Sequence, residues 1–523
     1  MASLAALAAN FKRDLVMLQL NSYRNERYAR WFNQSQESTN VMRILACIAL
    51  FMMFVPQLPY IGTSVLATII MAWTFVALTR RKYKKPLVWT NRARRIYFTM
   101  WIVAVAVMSA VAALTLVQGQ NALLGAVATV AVVCLGLNVV SPLLLLASNW
   151  LLKPVEKHIN NKYFNDAARI LASMPDLKII GITGSYGKTS TKHYLNRILS
   201  EKFDTLMTPG SFNTPMGVVR TVREYLKPYN EVFIVEMGAK QVGDIKEICD
   251  LVHPEMGVVT AVGEQHLESF KSIENIQKTK FELIDALPAD GFGVVNDDFP
   301  FVANREVKNV DCVRYAVRNT ANADYKATDI TMDHTGTTFT IEGQGRSLTL
   351  HTRLVGECNI SNLMAAVVIA MKLGVEDEKI QYAVDRVEQV EHRLNMKRTP
   401  GGITIIDDAF NSNPTGSHMA LDVLAAMPGG KRILVTPGMI ELGDRQFELN
   451  KEFGDYAASR CDVAIVVNQY NREAIVAGLK AGGMDENAIN AVDSFAEAQN
   501  LLSGIMTAGD TVLYENDLPD TFK

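Results

Sequence analysis

The stretch "IIGITGSYGKTSTKHYL", residues 179–195, runs from an apolar strand pattern through a glycine-bearing loop into a helical pattern. Glycines in such a loop let backbone N–H groups close around phosphate oxygens at a helix N-terminus. On this reading Gly184, Ser185, Gly187, Lys188, Thr189 and Ser190 form a nucleotide loop, Lys188 reaching the β- and γ-phosphates and the Thr189 hydroxyl binding Mg²⁺. The strict spacing G-x-x-x-x-G-K-[ST] is not met, because Ile182 stands where the first glycine belongs. The strand before the loop and the helix after it therefore carry the assignment.

Upstream of this loop the composition changes sharply. Residues 44–79 contain no charged side chain in 36 positions, and residues 96–152 none in 57. With about 20 apolar residues needed per helical span, the two blocks predict four spans, turning at residues 56–60 and 117–121, the first block reading alternatively as one span plus a re-entrant piece. All five tryptophans, at positions 31, 73, 89, 101 and 150, fall in this front part. The loop "RRKYKKPLVWTNRARR", residues 80–95, carries eight basic residues and no acidic one, which places it in the cytoplasm. A multi-pass protein of the inner membrane with its other domains in the cytoplasm is expected. Residues 1–40 read as an amphipathic helical segment along the inner surface, or alternatively as an ordinary solvated helix.

From residue 153 onward strand-like runs such as "EVFIVEMG", "GFGVVN" and "RILVTPG" alternate with helical stretches, the pattern of parallel α/β sheets. Residues 323–352 alternate instead as antiparallel hairpins expected to edge the first sheet. The predicted fold is α/β: a bundle of four transmembrane helices (41–152), a central P-loop ATPase-type domain (153–398) and a C-terminal Rossmann-like domain (399–523). A net charge of −2 gives no pull toward nucleic acid. Six scattered cysteines without a CxxC pair suit reduced thiols in a cytosolic compartment.

The variant "GITGSYGKTST" resembles the nucleotide loop of the Mur ligases, ATP-dependent amide-bond ligases of peptidoglycan precursor synthesis. Further stretches match that family in order: "TPGSFNTPMGVV" (208–219), "EMGAKQVGDIKEI", "GEQHLESFKS", "IQKTKFELI", "GECNISNLMAA" (356–366), "EHRL" (391–394), "DDAFNSNP" (407–414) and "MIELGD" (439–444). The last two are most similar to the branch that adds a D-alanyl-D-alanine dipeptide.

The resemblance implies that a substrate carboxylate attacks ATP to give an acyl phosphate, which an incoming amine then displaces. It also implies two Mg²⁺ ions, one held by Thr189 and Glu236 and a second by His266, with Lys280 carbamylated as a bridging ligand. Lys188, Lys280 and His266 are the implied catalytic residues, while Asn359, Arg393 and Asp407 complete the nucleotide site. Asn213, Thr214, Asn411 and Asn413 are the implied substrate contacts. Partners are the membrane, a carboxylate-bearing envelope precursor, possessing a lipid or UDP carrier, and an amino acid or dipeptide. Cys358 and Asn450 stand where histidines are usual, and "GDTVLYENDLPDTFK" replaces a lysine-glycine-serine stretch. The membrane bundle occupies the place of the domain that grips the UDP-sugar. A poly-γ-glutamate-type synthetase and a catalytically silent membrane scaffold are the alternatives.

Overall fold

The computed structural model describes residues 1–35, 40–55, 59–83, 85–117, 122–333, 336–410 and 412–518. The turns expected at 56–60 and 117–121 fall largely outside these residues, as does Asn411. The chain divides into two compact units, Met1–Asn161 and Lys162–Asp517.

The first unit is helical: α1 (Ala2–Leu20), α2 (Asn25–Gln34), α3 (Val41–Met52), α4 (Tyr60–Arg80), α5 (Asn91–Val117), α6 (Ala122–Val139) and α7 (Ser141–Ala172), whose last turns lie in the second unit. Among the described residues two helices are long and apolar enough to cross a membrane, Ile61–Arg80 with 20 residues and Asn91–Val117 with 27. At 1.5 Å per residue they are about 30 and 40 Å long, matching or exceeding a hydrocarbon core. The four-span expectation is therefore corrected to two candidates, or three if the bent pair α6–α7 counts as one span. Two features cause the difference. The helix α3 has only 12 residues, and α6 and α7 meet at 77° at Val140, just before Pro142 in the first turn of α7. Large apolar side chains on these helices face outward, among them Phe51, Ile69, Phe98, Ile102 and Leu143.

Another correction concerns α1. It does not present an apolar stripe to a surface but lies in the core of the unit, burying Leu7, Phe11, Leu15 and Leu18. Its polar residues find partners inside: Asp14 accepts from Arg43 (3.1 Å) and Ser141 (2.6 Å), and Asn10 donates to Asn138 (3.0 Å). Buried polar groups persist where such bonds satisfy them.

The second unit holds two sheets. The first uses β1 (Lys178–Thr183), β2 (Thr205–Met207), β3 (Val232–Glu236), β4 (Met256–Val259), β5 (Phe292–Asn296), β6 (Asp311–Ala316), β7 (Tyr325–Asp333), β8 (Gly336–Gly343) and β9 (Arg346–Thr352). Their spatial order is β2-β3-β1-β4-β5-β6-β7-β8-β9. The pairings are parallel through β7 and antiparallel for β7–β8–β9, the hairpins that the sequence alternation predicts. Ile180 and Ile182 of β1 enter one core layer and Ile179 the other, so both faces of the sheet are covered.

The other sheet has the order β10-β11-β15-β12-β13-β14, from β10 (Asn395–Arg398), β11 (Thr404–Asp408), β12 (Arg432–Thr436), β13 (Val463–Val467), β14 (Ile489–Val492) and β15 (Thr511–Glu515). Only β10 runs antiparallel, to β11. Because β10 belongs to this sheet, the C-terminal layer starts at Asn395, four residues before the boundary at 399 that the sequence suggests.

Candidate active site

In open parallel sheets, ligands bind beyond the carboxyl ends of the strands. The central strand β1 ends at Thr183 and feeds the loop 184–187, after which α8 (Lys188–Leu199) begins. Gly184 tolerates no side chain, since a Cβ there would fall 2.1 Å from Thr260 Oγ1. Gly187 has φ +81°, and a Cβ would lie 2.3 Å from Asn362 Oδ1. The loop is pinned from β4's side: Ser185 N donates to Ala261 O (2.8 Å) and Ser185 Oγ to Gly263 O (2.9 Å).

Lys188 folds over its own loop, donating to Gly184 O (2.5 Å) and Ser185 O (3.1 Å). Burial brings its ammonium down to about 8, with Arg393 adding to the effect and Glu236 opposing it. Glu236 ends β3 beside β1, in register with Ile182, so the ladder itself brings this carboxylate to the loop. Its Oε1 accepts from Thr189 Oγ1 (3.2 Å) and Asn213 Nδ2 (3.0 Å). Burial pushes the Glu236 carboxyl upward, yet Lys192 and Lys188 hold it below the ordinary value.

Among the described residues no group of three or more His, Cys, Asp or Glu side chains forms a metal cage. That fits Mg²⁺, which is commonly held by one or two protein oxygens plus the phosphates of a nucleotide. Thr189 and Glu236 supply such oxygens next to the phosphate loop, so the residues fit the group.

His266 and Lys280 sit in separate elements. His266 adopts φ +54° just before a short helical turn, and its Nδ1 bonds Glu441 of the second sheet's loops. Burial lowers its pKa, against the pull of Glu441. The docking of these loops includes an Arg445–Glu264 ion pair and a bond from Glu268 N to Glu441 O (3.1 Å). Lys280, on the helix Ile273–Asp285, is 2% exposed, and burial first and Lys188 second push its ammonium well below the ordinary value.

Several residues have other work. Asn359 accepts from Tyr194 OH (2.8 Å) and donates to Val355 O (2.8 Å), which commits both ends of its amide within the protein. Asn362, absent from the sequence-derived set, is the asparagine against the phosphate loop; its Oδ1 also accepts from Thr191 Oγ1 (3.3 Å). Thr214 and Asn413 are N-caps, accepting from Gly217 N (3.3 Å) and Gly416 N (2.9 Å), each followed by proline at the first helical position. The capping pattern was readable in both motifs. Ser190, in the first turn of α8, is buried.

Arg393 donates to Phe410 O (2.6 Å) and stacks 4.4 Å from the Phe410 ring, while Asp407 bonds His392 Nδ1 (2.8 Å). A cavity of about 790 Å³ opens between Thr189, His193 and Arg197 of α8, Ser211 of the neighbouring loop, and Arg393 with Phe410. The site thus joins a glycine loop at a helix N-terminus, a carboxylate–hydroxyl pair, and Arg393 from the second sheet's side.

Family models for the Mur ligase middle domain and for the "Mur ligase, glutamate ligase domain" match residues 182–370 and 392–514, leaving the N-terminal helices outside both. The chain is 30% identical to the UDP-N-acetylmuramoyl-tripeptide–D-alanyl-D-alanine ligase of Bacillus subtilis over 65% of this chain and 72% of that protein. The Escherichia coli enzyme of the same name is 31% identical over 56% of this chain and 65% of that one. Among solved structures, MurF from Acinetobacter baumannii superposes with a TM-score of 0.62 at 27% identity, covering 68% of this chain and 77% of that one. MurF from Thermotoga maritima in complex with ADP shares the fold with a TM-score of 0.62 at 24% identity, over 68% of this chain and 80% of that one. The chain belongs to the Mur ligase family of ATP-dependent carbon–nitrogen ligases.

Proposed function

We propose that the protein is a membrane-anchored ligase that joins an amine, of the D-alanyl-D-alanine type, to the carboxylate of a peptidoglycan precursor. The observation that carries this reading is the convergence on Glu236: its one oxygen meets Thr189 from the phosphate loop and Asn213 from the loop 208–214. Nucleotide, cation and acceptor are thereby drawn to a single point. Positioning of this kind supplies much of the rate in phosphoryl transfer.

The acceptor carboxylate attacks the γ-phosphorus, the bond to the β-phosphate oxygen breaks, and ADP leaves. The amine nitrogen then attacks the acyl carbon, phosphate departs with the carboxylate oxygen, and the ammonium's proton is released to solvent. Lys188 neutralises the transferring phosphoryl group. Thr189 and Glu236 would hold one Mg²⁺, and His266 with Lys280 a second; such ions offset the phosphate charge. Burial favours the neutral amine of Lys280, the form that adds CO₂ and loses a proton to give an anionic carbamate. Arg393 and Asp407 would contact the nucleotide.

Two long apolar helices ahead of the catalytic unit support anchoring in the inner membrane with the ATP site in the cytoplasm. Anchoring raises the effective concentration of an acceptor confined to the same surface. The acceptor is therefore read as lipid-linked. The test compares phosphate release by detergent-solubilised full-length protein with ATP, Mg²⁺, D-alanyl-D-alanine and either lipid-linked or UDP-linked muramoyl tripeptide. Higher kcat/KM for the lipid-linked form is expected; preference for the UDP form overturns the lipid assignment, and no amide product with either overturns the ligase assignment for this precursor.

A further inference from the structure

Lys192 lies one helical turn beyond Lys188 on α8 and is fully buried. Its Nζ donates to Thr208 O (2.9 Å) and Gly210 O (2.7 Å) and pairs with Glu236 Oε2 at 3.0 Å. Two of the three N–H donors of the ammonium go to these carbonyls, and its charge faces Glu236 Oε2 as a buried ion pair. The partners come from two other parts of the chain: the loop after β2, which carries Asn213, and the end of β3. The two parts are also tied directly, because Glu236 N donates to Thr208 Oγ1 (3.1 Å) and Gly238 N to Asn213 O (2.7 Å).

The arrangement fixes which oxygen of Glu236 does what. Oε2 is held by Lys192, which leaves Oε1 turned to Thr189 and Asn213. Gly210, with φ +49°, lacks a side chain to brace the loop, and the lysine reaches its carbonyl instead. A fully desolvated lysine costs several kcal/mol unless charge and hydrogen bonds offset it. An apolar side chain would fill the same space without that cost but would leave two carbonyls without a donor and a buried carboxylate without its counter-charge.

We propose that Lys192 is a positioning residue: it sets the loop 208–214 against Glu236 and so aligns the acceptor with the cation site. Only the kinetic part of the test rests on the functional reading above. Hydrogen exchange is followed by mass spectrometry on the full-length protein in detergent, without nucleotide, for Lys192→Met, Glu236→Gln and the double variant. Peptides covering 208–213 should exchange about tenfold faster in Lys192→Met and in the double variant and stay protected in Glu236→Gln, while peptides over β5 are unchanged in all three. Should the single Lys192→Met variant misfold around an orphaned carboxylate, the double variant still decides. Protection retained in Lys192→Met, or restored in the double variant, would overturn the proposal, because the lysine would then only neutralise a buried charge.

The kinetic expectation is a KM for UDP-linked muramoyl tripeptide raised about tenfold in Lys192→Met, with affinity for a fluorescent ADP analogue within about threefold. Equal weakening of both also overturns it. A wild-type protein that turns over no acceptor would strike the ligase reading alone, leaving the exchange pattern to decide the role of Lys192.

Discussion

In the N-terminal unit, Arg43 gives one guanidinium nitrogen to Asp14 (3.1 Å) and another to Val139 O (3.2 Å), and Ser141 closes the remaining side of Asp14. In the catalytic unit, Lys192 pairs with Glu236 at 3.0 Å, but the other oxygen of Glu236 faces Thr189 and Asn213 on the cavity side. Both pairs are buried, and both cost desolvation that partners must offset. The first is closed on itself and spends its bonds on a helix break, binding the last carbonyl region of α6 to the start of α7. The second shares its other oxygen with Thr189, which lines the cavity. Burial of charge alone therefore does not mark a site; a residual polar face beside a cavity does.

The largest effect should come from opening this contrast on the catalytic side. Lys188→Ala removes the cation over the phosphate loop and should lower kcat by about 10³-fold or more, with the melting temperature nearly unchanged. Phosphate release measured beside a thermal melt checks both halves. Turnover within tenfold of wild type would mean that Lys188 does not serve the phosphoryl group.

On the other side, Asp14→Ala leaves Arg43 buried without its carboxylate. A loss of about 3 kcal/mol in the stability of the helical unit is expected, while affinity for nucleotide stays within about threefold. Unfolding of the detergent-solubilised protein followed by tryptophan fluorescence reads that unit, since all five tryptophans lie in it. Weakened nucleotide binding at unchanged stability would erase the distinction between the two pairs.

A smaller effect sharpens the contrast, because the catalytic unit also holds two buried acids side by side. Asp408 and Glu515 are paired in register at the carboxyl ends of β11 and β15. Burial raises Asp408 to about 6 and Glu515 well above its ordinary value; Asp408 pushes Glu515 further up, while Arg393 and a hydrogen bond with Glu515 hold Asp408 down. A carboxyl whose folded pKa is raised stabilises fully below its unfolded pKa and loses that contribution as pH rises through the folded value. Stability should thus fall between roughly pH 4 and 6.5, and Glu515→Gln should flatten the fall. Thermal melts across that range provide the check, and a rise with pH in the wild type that Glu515→Gln leaves untouched would remove the pair from the account.

What the sequence made legible follows from where each signal lives. Strand runs, the glycine loop and the hairpins at 323–352 are local patterns, and the structure contains them. The number of spans was not legible, because a charge-free stretch looks the same whether it forms a straight span, the 12-residue α3 or the bend at Val140. Nor was the burial of α1, since Asp14 and Asn10 look solvent-directed until Ser141 and Asn138 arrive from far along the chain. In the site, the loop motif and the resemblance pointed to Lys188, Thr189 and Glu236, which the structure brings together, whereas Lys192 was hidden because two of its partners are backbone carbonyls. Asn359 and Asn362 share one motif, and only the packing of α8 separates the internal one from the one at the loop.

The central claim, that the cradle at Glu236 serves phosphoryl transfer from ATP to a carboxylate, is tested most directly by oxygen tracing. Acceptor muramoyl tripeptide bearing heavy oxygen in its terminal carboxylate is turned over with ATP, Mg²⁺ and D-alanyl-D-alanine, and the products are read by mass spectrometry. The account predicts that the released phosphate carries one labelled oxygen for each amide formed. Amide formation with unlabelled phosphate, or with the label in AMP, would contradict it.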